Sequence, residues 1–273
     1  MLDRPRDLRF VPVANPRPGR LTRAQVAQYN ETGFVQPFRV LALNEITALR
    51  DRVDQWIDAM GPDGAYGINC YQARLATLWD VARHPAILDL VEDIIGPDIL
   101  CWATAILSKP AGEARAVPWH QDAGFWALDP ARTVTVWLAI DDADEDNAAM
   151  RFIPGTHDRG EIAMEAVEGD VFAHGIPGAD ALGAPFTNTL KAGECSLHAD
   201  MLVHGSGPNT SDRRRCGLTL RYCPPAVGIT DTGWQRGVEA VLCRGVPGDW
   251  ETHPRPENDD IRATSSPRAL GNN

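Results

Sequence analysis

The sequence predicts a mainly β fold, a sandwich or barrel with helices packed against it, laid out as helices first and strands afterwards. Three observations carry that expectation. Helical periodicity runs through the first third of the chain and stops at Gly96-Pro97. Beyond it the apolar runs are short, rich in β-branched and aromatic residues, and separated by Gly and Pro turns. Helices and strands do not alternate as βαβ units would, and neither G-x-G-x-x-G nor a Walker pattern occurs, which disfavours a nucleotide-binding fold.

Taken in order, residues 1–20 are rich in Pro and Arg and read as an extended arm. Thr22 and Gln25 have the spacing of a capping box, so a first helix begins at Leu21-Thr22 and ends at Gly33. Ile46, Leu49, Val53, Trp56 and Met60 recur at helical spacing and place a second helix over 44–60. A third covers 85–95, with Pro85 suited to its first turn and Gly96-Pro97 as its stop. Strands are expected at Ile99–Ser108, Thr133–Ile140, Ser196–His204 and Gly217–Tyr222, with turns at Pro154-Gly155, Gly193-Glu194 and Gly207-Pro208-Asn209. Residues 158–190 lack periodicity and read either as a lid or as a tolerated surface insertion. From about 254 the chain is polar and expected to be loose. No internal repeat is visible, and the whole chain, 1–273, is read as one domain.

Composition narrows the function classes. A 44% hydrophobic content is ordinary for a soluble globular protein. No window holds the apolar run of a membrane helix, and MLDRPRDLRF lacks the order of a secretory signal, so the expected location is cytoplasmic. The formal charge of −11 disfavours nucleic acid and anionic membranes as partners and leaves a small molecule. Six cysteines, none in a C-x-x-C pair, read as reduced buried thiols, so any metal should rest on imidazole and carboxylate.

The candidate chemistry lies in Trp119-His120-Gln121-Asp122. In an extended chain His120 and Asp122 face the same way and present a nitrogen and a carboxylate to one point. Alone, an H-x-D tripeptide is weak evidence, because such pairs are often only hydrogen-bonded. His204, at the end of an apolar run, supplies a third ligand. Two imidazoles and one carboxylate suit non-haem iron(II) and leave three adjacent positions open, the number that a bidentate 2-oxo acid and dioxygen require. On the expected single strand His198 would stand ~20 Å from His204, too far to share an ion. His84, His157, His174 and His253 are read as structural.

The second carboxylate of a 2-oxo diacid needs a fixed cation, and a guanidinium suits it because its fork accepts a carboxylate bidentately and stays charged when buried. Arg215 stands eleven residues after His204, with Arg213 and Arg214 as rivals. Ser206 is placed to donate a hydroxyl, and Trp137 to wall the pocket or simply to pack the core. Trp119, Phe125 and Trp126 are candidates for the apolar wall of a substrate pocket, core packing being their competing reading.

At Ile95-Gly96-Pro97, Trp119-His120-Gln121-Asp122, Phe152–His157, His204–Asn209 and Ser211–Arg215 the chain resembles the phytanoyl-CoA dioxygenase family of iron/2-oxoglutarate oxygenases, over roughly residues 21–250. The resemblance implies a double-stranded β-helix, a jelly-roll, cupin-like barrel with flanking helices. It settles the register in favour of Arg215. It implies ferrous iron on His120, Asp122 and His204, with 2-oxoglutarate and dioxygen as co-substrates. The implied reaction hydroxylates, or oxidatively cyclises, a small molecule and releases succinate and carbon dioxide. Asp122 places the chain with hydroxylating relatives rather than those that chlorinate. Bacterial members of this style tailor natural products, which makes a secondary metabolite, as in antibiotic biosynthesis, the expected substrate. The competing expectation is a zinc-dependent epimerase or hydrolase on a similar barrel.

Overall fold

The computed structural model describes residues 6–264. Helix α1 (Arg23–Thr32) carries the expected capping box, with Gln25 N–H donating to Thr22 Oγ1 at 3.2 Å, and it ends at Gly33 with φ 85°. Helix α2 (Leu43–Met60) buries Ile46, Leu49, Val53 and Trp56 along one stripe. A short helix that the sequence reading lacked, α3 (Ala76–Ala82), precedes α4 (Pro85–Ile95), whose first residue is Pro85 and whose stop is Gly96. At seven residues α3 is too short to announce itself by periodicity.

Ten strands form two antiparallel sheets. They are β1 (Phe34–Arg39), β2 (Ile99–Lys109), β3 (Val117–His120), β4 (Val134–Ala139), β5 (Arg151–Phe152), β6 (Phe186–Thr187), β7 (Glu194–Ala199), β8 (His204–Ser206), β9 (Arg215–Cys223) and β10 (Val241–Arg244). The large sheet has the order β1-β7-β4-β9-β2-β10 and the small one β3-β8-β5-β6. Two sheets of antiparallel strands with helices before them match the expected jelly-roll class.

Alternation along the strands sorts the core from the lumen. Val134, Val136 and Leu138 of β4, with Leu218, Leu220 and Tyr222 of β9, turn outward and join the α2 and α4 side chains in the largest apolar cluster. Thr135, Trp137 and Thr219 are buried on the opposite, inward face. The helices therefore brace the large sheet from outside and leave its polar face for the site.

The single strand expected over Ser196–His204 is broken. It ends at Ala199, a turn closes through Leu202 N–H donating to Ala199 O at 3.0 Å, and β8 starts in the other sheet at His204. An apolar run cannot reveal that it switches sheets. Strand β1 was also not anticipated. Because β1 is the outermost strand, its interior Pro37 interrupts the ladder only at the sheet edge, where the register shifts between Val35 and Phe38.

The C-terminal stretch is less loose than expected. Asp259 Oδ1 accepts from Thr77 N–H at 2.8 Å, the Trp56 indole donates to Asp259 O at 2.8 Å, and Ile261 is buried. Residues 265–273 lie outside the described part. The arm has no regular structure from residue 6 to 20 but is fastened by Asp7 N–H to Asp129 and by Asp93, which accepts from Gly19, Arg20 and Leu21 N–H. Residues 1–5 are not described. All six cysteines are free and buried, as a reduced-thiol reading expects. No helix among the described residues is long and apolar enough to cross a membrane.

Candidate functional site

His120 ends β3 and His204 opens β8, and the two residues are register partners across these antiparallel strands. Their rings lie 4.1 Å apart, centroid to centroid. Gln121 remains extended (φ −110°, ψ 123°), and Asp122 opens a 3-10 turn rather than continuing the strand, so the two-residue alternation still sends its carboxylate to the histidine side. Asp122 Oδ1 lies 3.6 Å from His120 Nε2 and 4.0 Å from His204 Nε2. One ligand atom from each of the three falls within 4.8 Å of the others, a spacing that can hold one metal ion, and all three residues are buried.

The orientation of each ring is fixed from behind. His120 Nδ1 meets Pro118 O at 2.8 Å and His204 Nδ1 meets Leu202 O at 2.9 Å. A ring whose Nδ1–H donates to a carbonyl keeps an unprotonated Nε2, the form a metal needs. Burial, with His120 beside it, lowers His204 to about 4, so it is neutral at ordinary pH. Burial alone would raise the Asp122 carboxyl, but Arg221 and the two histidines outweigh it and hold the group below the carboxylate range. Gln121 points the other way and staples the turn, its Nε2 donating to Gly160 O and Met201 O at 2.9 and 2.8 Å.

At the far end of the inner face of β9, Arg215 is 3% exposed. Its Nη2 donates to Ser206 Oγ at 3.1 Å, its Nε donates to Ala148 O at 3.2 Å, and its guanidinium lies 5.8 Å from the Trp137 ring. The structure thus brings Arg215, Ser206 and Trp137 together. The two rival arginines are engaged elsewhere: Arg213 pairs with Asp144 at 2.8 Å, and Arg214 with Asp141 and Asp54 at 2.8 and 2.5 Å. Arg215 forms no ion pair among the described residues. Gly217 lies between it and Thr219 on the inner face, and a Cβ there would collide with the Trp137 indole. That glycine lets the tryptophan lie across the strand, a requirement invisible in sequence. Lys109, the β2 partner of Arg215, is buried; burial and then Arg215 lower its amine to about 7.

Three parts of the site were not anticipated. Asp122 Oδ2 faces Thr135 Oγ1 at 3.5 Å and Arg221 Nε at 3.7 Å. His198, expected far from His204, has its ring centroid 4.8 Å away, because the turn after Ala199 folds the chain back. It is buried with neither nitrogen hydrogen-bonded. Phe172 and His174, from the 158–190 stretch, come down beside Asp122, Phe125, Trp126 and Arg221 to form a narrow aromatic slot. His174 is therefore at the site rather than remote from it.

Of the candidate pocket walls, Phe125 and Trp126 line that slot, with Phe125 5.9 Å from the His120 ring. Trp119 does not. Neighbouring residues of a strand face opposite ways, and it packs beneath Arg151 at 5.0 Å and against the Ile153–Val203 cluster. Of the remaining histidines, His157 is buried and held by Asn30 O at 3.1 Å, and His84 lies 3.6 Å from Glu45.

A family model described as Phytanoyl-CoA dioxygenase (PhyH) matches residues 29–217, a span that includes the triad and Arg215. The chain belongs to this family. Among its curated relatives is an L-proline trans-4-hydroxylase of Streptomyces griseoviridis, 28% identical over 165 residues, 52% of this chain and 61% of that protein. The peroxisomal phytanoyl-CoA dioxygenase of Bos taurus is 28% identical over 147 residues, 50% of this chain and 43% of that one. The chain spans about half the length of these relatives. Among solved structures, the apo form of the non-heme monooxygenase ThoJ superposes with a TM-score of 0.75 at 28% identity, covering 87% of this chain and 90% of that one.

Proposed function

We propose that this chain is an iron(II)- and 2-oxoglutarate-dependent oxygenase acting on a small molecule, with His120, Asp122 and His204 as the metal ligands. The observation that carries the reading is the meeting of two Nε2 atoms and one carboxylate oxygen in a buried site, with both Nδ1 atoms pinned to backbone carbonyls. That donor set fits a non-haem ferrous ion and leaves coordination positions for a chelate. Arg215 fits the co-substrate: a buried guanidinium without an acid partner is costly, and a carboxylate arriving there relieves it.

When bound, iron, 2-oxoglutarate and dioxygen supply the oxidising chemistry, with succinate and carbon dioxide as co-products. The protein's own groups bind and exclude. Arg215 and Ser206 hold the distal carboxylate, and Trp137 walls the space between Arg215 and the metal end. Thr135 and Arg221 face the outer oxygen of Asp122, which leaves Oδ1 to the metal. Phe125, Trp126 and Phe172 keep water from the reacting face, as a reactive oxidant demands.

For the substrate we propose a secondary metabolite, oxidised by hydroxylation or ring closure, because the PhyH-type site here opens beside a narrow slot lined by the aromatic rings of Phe125, Trp126 and Phe172. A zinc epimerase or hydrolase would leave Arg215 with nothing to hold. The test is succinate release from 2-oxoglutarate with iron(II), in air, across a panel of small metabolites. Stimulated, iron-dependent succinate formation is expected. Equal turnover with zinc and no 2-oxoglutarate would overturn the reading.

A further inference from the structure

Arg221 stands on the inner face of β9 and is the cross-strand partner of Thr135, which in turn pairs with His198 of β7. Its guanidinium stacks 5.0 Å from the Trp126 ring and lines the slot with Phe125, Phe172 and His174. Its sole carboxylate neighbour among the described residues is Asp122, and at 3.7 Å Nε is beyond hydrogen-bond reach of it. Thr135 already approaches that oxygen more closely. Nε is buried with no acceptor, and no side-chain donor of Arg221 meets one in the described residues. A guanidinium carries five N–H donors and keeps its charge, so a group left in this state at the mouth of a site awaits an acceptor.

Charge balance points the same way, and here the argument rests on the iron/2-oxoglutarate reading above. A divalent ion and two guanidinium groups, with Lys109 beside Arg215 adding at most one more cation, face a dianionic co-substrate and the Asp122 carboxylate, which leaves at least one positive charge over. Arg215 is assigned to the co-substrate, six residues along β9 from Arg221. Arg221 is the guanidinium left over at the slot.

We infer that the substrate is an anion, a compact organic acid whose carboxylate pairs with Arg221 while its apolar body lies against Trp126, Phe125 and Phe172. Arg221 then decides specificity: a carboxylate binds and its neutral amide, alike in shape, is rejected because the guanidinium stays unpaired. The cation would also hold the acid at a fixed distance from Asp122, so that the carbon oxidised is set by the length of the molecule.

The experiment uses the full chain with iron(II) and saturating 2-oxoglutarate, without oxygen, and a matched pair of probes, benzoate and benzamide. Binding is read from tryptophan fluorescence, Trp126 lying beneath the guanidinium, and from the weak visible band of the iron/2-oxoglutarate complex. Benzoate is expected to bind at least tenfold more tightly than benzamide. Arg221→Met should abolish that preference and Arg221→Lys should keep part of it. Because the readout is a ratio within each variant, a partial loss of metal affinity does not imitate the result. Should Arg221→Met not fold, Arg221→Gln replaces it. Equal binding of the two probes, a preference that survives in Arg221→Met, or benzoate that merely displaces 2-oxoglutarate would each overturn the inference. Absence of the visible band before any probe is added would instead count against the iron/2-oxoglutarate reading itself.

Discussion

The two ends of the lumen are built differently. Around Arg215 every contributor sits on or beside a strand: Ser206 on β8, Trp137 on β4, Arg215 itself on β9, and the guanidinium is 3% exposed with two of its donors engaged. Around Arg221 half the wall comes from the 158–190 stretch, which has only two-residue strands and single 3-10 turns, and Phe172 and His174 are half-buried. The Arg221 side chain keeps 14% of its surface. A rigid end suits a ligand that never changes, and a loop-walled end suits one that differs between relatives. The proposed metal ligands belong to the rigid part, since both histidines are fixed through backbone carbonyls.

The largest expected effect comes from the proposed metal ligands. Asp122→Ala removes the one anionic ligand, so bound iron should fall from one equivalent to near zero and turnover should drop by at least about a thousandfold; metal analysis after desalting reads it, and full occupancy would contradict the ligand set. Next is Arg215→Leu. Losing the partner of a buried carboxylate costs about 2–5 kcal/mol, so the dissociation constant for 2-oxoglutarate should rise by roughly two orders of magnitude or more. An anaerobic titration followed by the visible band measures it, and a change of less than threefold would mean that another cation holds the distal carboxylate.

Stability should separate the two ends as well. Trp137→Ala opens a cavity in a fully buried layer and is expected to cost about 3–5 kcal/mol, whereas Phe172→Ala, half-buried on a loop, should cost under about 1.5 kcal/mol. Urea unfolding of the two variants compares them directly, and equal losses would erase the contrast. A pH-dependent effect concerns Asp200, in the turn that breaks the expected strand. Its carboxyl is raised by burial from 3.8 to about 7, so the folded protein keeps a proton that the unfolded chain has already lost. Stability from this group is present below about pH 4 and declines as pH rises toward 7. Asp200→Asn should match the parent near pH 4 and gain on it with rising pH, by up to about 1.4 kcal/mol per unit across the window. A difference independent of pH would show that Asp200 does not titrate there.

How much was legible in advance follows from the same division. Capping at Thr22, the Pro85 start and Gly96 stop of α4, and the β-branched run of β4 are local signals, and each marks the element found there. The spacing from His204 to Arg215 is also local, but residue chemistry left Arg213 and Arg214 open as rivals, and the family resemblance chose Arg215. The failures are of another kind. His198 was misplaced because a ruler laid along an apolar run assumes that the run is straight, and Asp200–Leu202 bends it into the second sheet. Trp119 was a candidate for the pocket wall with core packing as its alternative, and it packs, because adjacency to His120 in a strand sends its side chain to the other face. Arg221 carried no signal in the sequence, because a guanidinium without a hydrogen-bond acceptor is recognised only from its surroundings.

By itself, then, the sequence determined the kinds of elements, their order, and which residue types were available for a metal and for an acid, since these depend on hydrogen-bonding periods and side-chain chemistry that act over a few residues. Only the tertiary structure decided which of them meet. The pairing of β3 with β8 sets His120 against His204, the inward face of the large sheet aligns His198, Thr135 and Arg221, and a loop without periodicity supplies Phe172 and His174. Such meetings are settled by how two sheets and their helices bury apolar surface as a whole, a quantity that no short window of residues contains.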